Sequence, residues 1–171
     1  LQILQMLDAL VAQESPRRVI QPIVARVEET LNADRTALLA WEPVPLSAYG
    51  SALPEAIRSS WVFILRAGAA TGAERHPNSH QRVMSYRGGG DLQVWADGRW
   101  HSTVLTSDPR APLEARWVSI PVNVWHQGVV PDANWVVVSF HTVPAEELIE
   151  ERPDPADSGL TRQRKYLGRV L

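Results

Sequence analysis

Gly68-Ala-Ala-Thr-Gly-Ala-Glu74-Arg-His76-Pro-Asn-Ser-His80-Gln81 is followed some forty-five residues later by Ile120-Pro-Val-Asn-Val-Trp-His126, and these two stretches hold most of the chain's metal-binding side chains. In extended backbone, residues two apart share a face, so Glu74 and His76 present a carboxylate and an imidazole side by side. Pro77-Asn78 then breaks the strand and turns the chain. Beyond the turn, one of His80 and Gln81 points back toward the first pair, and the spacing does not choose between them. His126 must come from a distant strand, as when a metal is held between strands of one sheet or barrel. Two imidazoles and one carboxylate with open positions suit non-haem Fe(II), and also Mn, Ni or Zn.

The spacing Gly68-x5-Glu74-x-His76-x4-Gln81-x6-Gly88 resembles the first motif of the cupins, Gly-x5-His-x-His-x(3 or 4)-Glu-x6-Gly. Pro121-x-Asn123-x2-His126 resembles their second, Pro-x-Gly-x2-His-x3-Asn, and His76-Pro77-Asn78 is similar to a stretch of oxalate-decarboxylase-like cupins. Glu74 stands where the family has its first histidine, Gln81 where it has glutamate, Asn123 where it has glycine and Val130 where it has the final asparagine. The resemblance covers roughly residues 60 to 143. It implies a mainly β chain with a cupin-type double-stranded β-helix, the RmlC-like jelly-roll barrel, preceded by N-terminal helices. It also implies a metal site drawn from Glu74, His76, His80, Gln81 and His126, with Fe(II) favoured over Mn, Ni or Zn. His76 and His126 are the ligands kept from the family pattern, and either His80 or Gln81 fills the fourth place.

The chain has 171 residues, 44% hydrophobic and 21% charged, with a formal net charge of −2. That is enough for one well-buried domain with appendages. Acids and bases are mixed, which argues against nucleic acid as a partner. No apolar run approaches the roughly 20 residues of a membrane span. The absence of cysteine agrees with a cytoplasmic location. The chain begins with Leu1, so an earlier true start and a removed signal peptide are both compatible with it.

Residues 1–34 read as a helical segment. Leu4, Leu7 and Val11 lie on one stripe, Ser15-Pro16 reads as a helix start, and a second amphipathic helix carries Ile20, Ile23, Val24, Val27 and Leu31. These helices are expected on the outside of the barrel or against a partner subunit, and they lack the basic recognition face of a helix-turn-helix. Residues 35–148 read as short strands of the barrel. Asp97-Gly98 signals a tight hairpin, and Gly88-Gly89-Gly90 is expected to form another, since no lysine and helix follow as in a phosphate-binding loop. Residues 149–171 read as an extension leaving the core, ending in a basic amphipathic tail from Arg162.

Trp125 is expected to point away from His126 into a core or dimer contact, and Tyr86, Arg66, Arg82 and Gln93 are candidate polar groups for a pocket. His101 and His141 read as ordinary surface or core histidines. Three functions compete: a metal-dependent enzyme, possible dioxygenase chemistry included, acting on a small organic substrate; a non-catalytic small-molecule-binding cupin; and a metal-free sugar isomerase or epimerase with His76 as base and Tyr86 as acid. A homodimer is expected from the exposed edges and amphipathic ends.

Overall fold

The computed structural model describes residues 1–167. Two helices, α1 (Gln2–Val11) and α2 (Glu14–Ala33), precede ten strands: β1 (Leu39–Val44), β2 (Ser59–Leu65), β3 (Gln81–Arg87), β4 (Gly89–Ala96), β5 (Arg99–Thr106), β6 (Trp117–Ile120), β7 (His126–Val129), β8 (Trp135–His141), β9 (Ile149–Asp154) and β10 (Asp157–Lys165). The first sheet is antiparallel with order β1-β2-β8-β3-β6. Opposite it lie β5-β4-β7 and the β9–β10 hairpin. Residues 69–75 join these two pieces, bridging to β7 through Ala70 and Glu74 and to β9 through Arg75. The second layer is thereby continuous from β5 to β10, and the two layers form a jelly roll.

The first sheet is buried on both faces. Val62, Ile64, Val136, Val138 and Phe140 point outward against Leu7, Ile20, Ile23, Val27 and Leu31 of the helices. Trp61, Phe63, Val83, Trp135 and Val137 point inward to the barrel core. Every residue of β2 and of β8 is buried, which is why both read as continuous apolar runs without alternation. The helices thus cover the barrel's own outer face. Arg66 caps the end of α2, donating to the carbonyls of Leu31 at 2.6 Å and Asp34 at 2.8 Å. Among the described residues, no helix is long and apolar enough to cross a membrane.

The glycine triplet differs from expectation. Gly88 takes φ 82°, but Gly89 and Gly90 belong to β4. β3 pairs with β6 and β8, whereas β4 pairs with β5 and β7. The triplet is therefore a corner where the chain passes from one sheet to the other, and its small residues serve close approach. A Cβ on Gly90 would lie 2.3 Å from the ring of Trp135, which is wholly buried. Gly90→Ala is expected to destabilise the fold by about 1–3 kcal/mol, seen as a lower urea midpoint; an unchanged midpoint would mean the indole has room to move. Asp97-Gly98 does form the expected two-residue hairpin, with φ of 52° and 74°.

Residues 149–165, read from sequence as leaving the core, instead form the hairpin that walls one side of the barrel. Its charges misled the reading because they are paired internally. Glu150, fully buried, bonds Arg152 and Arg164, and Glu151 bonds Arg75 and Gln163. Of the basic tail, residues 168–171 lie outside the described residues.

Candidate metal centre

Glu74 enters the barrel from the bridging segment, where its N–H and C=O pair with those of His126 at 2.9 and 2.8 Å. This pairing puts the two side chains on the same face, and His126 Nε2 lies 3.4 Å from Glu74 Oε1. His76 follows two residues on, and the turn after it is pinned by Asn78, which donates to the carbonyl of Glu147 at 2.8 Å and accepts from the N–H of Ile149 at 3.2 Å. Asn123 closes the opposite side. It sits at φ 66° in the left-handed region that asparagine tolerates, and its N–H donates to the His76 carbonyl at 2.8 Å. The asparagine in the motif's glycine slot is thus physically accommodated, and Val130, in the slot of the final asparagine, is a core residue.

One donor atom each from Glu74, His76 and His126 lies within 4.8 Å of the others. His76 Nδ1 donates to the carbonyl of Ile149 at 2.9 Å, and His126 Nδ1 to that of Val124 at 3.1 Å. Carbonyls only accept, so each ring carries a proton on Nδ1, and in the neutral imidazole Nε2 is then the bare nitrogen. Both Nε2 atoms are buried without a hydrogen-bond partner. Two lone pairs held in a dry site beside a carboxylate fit a divalent cation, and the carbonyls play the orienting part expected of groups behind metal-bound histidines.

Burial alone would raise the Glu74 carboxyl, but contact with the His126 imidazole and the charge of the Arg152 guanidinium outweigh it and bring its pKa to about 2. It is therefore ionised at neutral pH. Burial, aided by His126, lowers His76. Burial also drives His141 well below the usual range, reinforced by His76, His126 and Arg82. Burial and the charges of Glu74 and Glu150 push the Tyr166 phenol upward, so it keeps its proton. A cavity of about 50 Å³ adjoins the group, with Phe63, Val83, Trp135 and Val137 as apolar wall and Glu74, Gln81, His126 and Tyr166 as polar lining.

Gln81 reaches this cavity, and its buried Oε1 has no hydrogen-bond partner. His80 does not join the group: its Nε2 lies 2.9 Å from Ser119 Oγ, and it is partly exposed. Strand parity sends it to the other face of β3. Arg82 and Tyr86 share that face, with Tyr86 packed on the helix-side cluster, so the pairing of Tyr86 with His76 is not formed. Gln93 bonds Asp91 and Gln127 away from the cavity, and Arg66 is occupied at the helix end. Trp125 faces outward under the Arg75 guanidinium, 4.5 Å from its ring, in a groove shared with Trp95 and Trp100.

His141 and the C-terminal hairpin are additions to the sequence reading. The His141 ring packs edge-on to His76 at 5.0 Å and lies 3.3 Å from each of Ser79 Oγ and Ser139 Oγ. Arg152 binds Glu74 Oε2, and Tyr166 stands 6.0 Å from His76. No local motif marks either.

Pumpkin seed globulin matches with a TM-score of 0.50 and 17% identity over 67% of this chain and 28% of its own. That likeness adds to the two-layered jelly roll and the motif spacing. The chain has the cupin fold. An oxalate oxidase in complex with the substrate analogue glycolate aligns over 62% of this chain and 51% of its own, at 14% identity and a TM-score of 0.47. The capsular polysaccharide assembling protein CapF from Staphylococcus aureus aligns over 71% and 30%, at 14% identity and 0.47. The chain therefore spans about half of the oxalate oxidase chain and under a third of the other two. No protein-family profile matches it, and no curated protein sequence does.

Proposed function

We propose that this cupin is a metal-dependent protein of the non-haem Fe(II) type, acting on a small organic ligand, with Glu74, His76 and His126 as metal ligands and Gln81 as a neutral oxygen donor beside them. The observation that carries this reading is the pair of bare, buried Nε2 atoms facing an ionised carboxylate. Fe(II), with Mn, Ni and Zn as competing occupants, would be held by Glu74, His76 and His126 and would supply Lewis-acid and, for the redox-active ions, electron-transfer character.

The chain's own groups define what can happen there. Glu74 contributes the only carboxylate in the three-residue group, and Gln81 Oε1 accepts a hydrogen bond or a weak metal bond. The Tyr166 ring lines the cavity, and its phenol keeps its proton beside the Glu150 carboxylate. The apolar wall excludes bulk water and strengthens each of these polar contacts. A cavity of about 50 Å³ has room for only a few water-sized groups, since one water needs roughly 10–15 Å³ on this measure. A ligand of a few heavy atoms fits without movement of the hairpin.

Elemental mass spectrometry on protein purified without chelators tests the reading, with Gln81→Ala and His80→Ala measured beside the parent. Near-stoichiometric metal, reduced by Gln81→Ala and untouched by His80→Ala, is the expected result. No metal, even after anaerobic reconstitution with Fe(II), Mn, Ni and Zn, would overturn it in favour of a barrel that binds an organic ligand alone.

A further inference from the structure

The Glu74 carboxylate has two oxygens with different surroundings. Oε1 faces His126 Nε2 at 3.4 Å, while Oε2 is held by the guanidinium of Arg152 from β9. The other nitrogens of Arg152 are also engaged: Nη1 donates to the Thr71 carbonyl at 2.8 Å, and Nε to Glu150. Glu150 is wholly buried and bonds Arg164 at 2.9 Å through its second oxygen. The result is an alternating series, Glu74–Arg152–Glu150–Arg164, in which each carboxylate meets a cation and the Arg152 fork is fixed at three points.

We infer that Arg152 is a positioning residue for the metal centre: by holding Oε2 of Glu74, it presents Oε1 alone to the ion and keeps the carboxylate from chelating through both oxygens. This rests on the metal-centre reading. A carboxylate bound through one oxygen uses one coordination position and leaves another for a ligand, whereas a bidentate carboxylate would take both. The guanidinium also draws charge from Glu74, which keeps the ion more electron-poor than a free carboxylate would.

The hairpin offers its own control. Arg75 also ties the bridging segment to β9, bonding Glu151 at 2.6 Å, but touches none of the three ligand side chains. A purely mechanical link between segment and hairpin would therefore be weakened by losing either arginine.

Titration of metal-free protein with Co(II), whose visible absorption reports coordination number, decides the matter across the parent, Arg152→Ala, Arg152→Lys and Arg75→Ala, with the melting temperature of each apoprotein measured in parallel. Arg152→Ala is expected to weaken Co(II) binding by about 10–100-fold, the usual cost of losing a group that orients a metal ligand, and to change the absorption band. Arg152→Lys should fall between that variant and the parent, and Arg75→Ala should bind as the parent does. Unchanged affinity and spectrum in Arg152→Ala would overturn the inference, as would equal losses in Arg152→Ala and Arg75→Ala. If Arg152→Ala does not fold, Arg152→Lys decides: weaker binding at a parental melting temperature supports the role, and unchanged binding overturns it. A parent that takes up no Co(II) would instead remove the metal-centre reading itself, and this inference with it.

Discussion

His76→Ala combined with His126→Ala is expected to abolish metal retention while the barrel stays folded. The two imidazoles supply the only nitrogen donors of the group, and a lone carboxylate already engaged by Arg152 is a poor site for a transition-metal ion. The effect on binding should be very large. The fold should survive because each ring's hydrogen bond is to a single carbonyl, of Ile149 or Val124, and each such bond contributes only about 0.5–1.5 kcal/mol net. The strand pairing of His126 with Glu74 runs through the backbone and is untouched. Elemental analysis alongside far-UV circular dichroism checks both halves of the prediction, and full metal content in a folded double variant would place the site elsewhere.

Acid is expected to empty and then loosen the same centre in two stages. His76 and His141 are buried, and burial lowers both below the usual imidazole value. The unfolded chain therefore takes up protons first as pH falls, so the stability these rings contribute is complete above about pH 6.5 and is lost as pH drops toward their folded values. Each ring that stays neutral in the fold while protonated in the unfolded chain costs about 1.4 kcal/mol per pH unit. Protons also compete directly with metal for bare imidazole nitrogen, so metal release belongs to this first stage. The second stage is that of Glu74. Its lowered pKa of about 2 means that its share of stability is present above its ordinary value of 4.5 and lost as pH falls from there toward 2. Denaturant unfolding of the apoprotein between pH 7.5 and pH 3, with metal content followed in parallel, would show both stages. Stability that stays flat from pH 7 to 5 would contradict the buried-neutral histidines.

The three side chains that come together as a candidate site were legible because motif spacing is a local property. Glu74, His76 and His126 sit at fixed offsets from turn residues, and the structure brings those three together. The choice between His80 and Gln81 was not legible, because it depends on which face of β3 looks inward. In a sheet covered by helices on one side and a second sheet on the other, both faces carry apolar residues, so alternation gives no sign. The same ambiguity placed Tyr86 and Arg82 among the pocket candidates, although they lie on the helix side. The hairpin after Leu148 was hidden for another reason: Glu150, Arg152 and Arg164 look like solvated charges one at a time, and only pairing across strands makes their burial tolerable. His141 lies beside His76 through the pairing of β8 with β3, a long-range contact with no local signature.

Because the imidazole proton of His76 rests on the carbonyl of Ile149, at the first residue of the C-terminal hairpin, aiming the ring and seating the hairpin are the same event. Thermodynamic linkage then runs both ways: whatever free energy a docked hairpin lends to ion binding, a bound ion returns to hairpin docking. With an ion in the proposed centre, amide exchange in β9 and β10 would therefore report occupancy of a site that most of those amides never touch, and any partner that grips or lifts this hairpin would act as an effector of metal affinity.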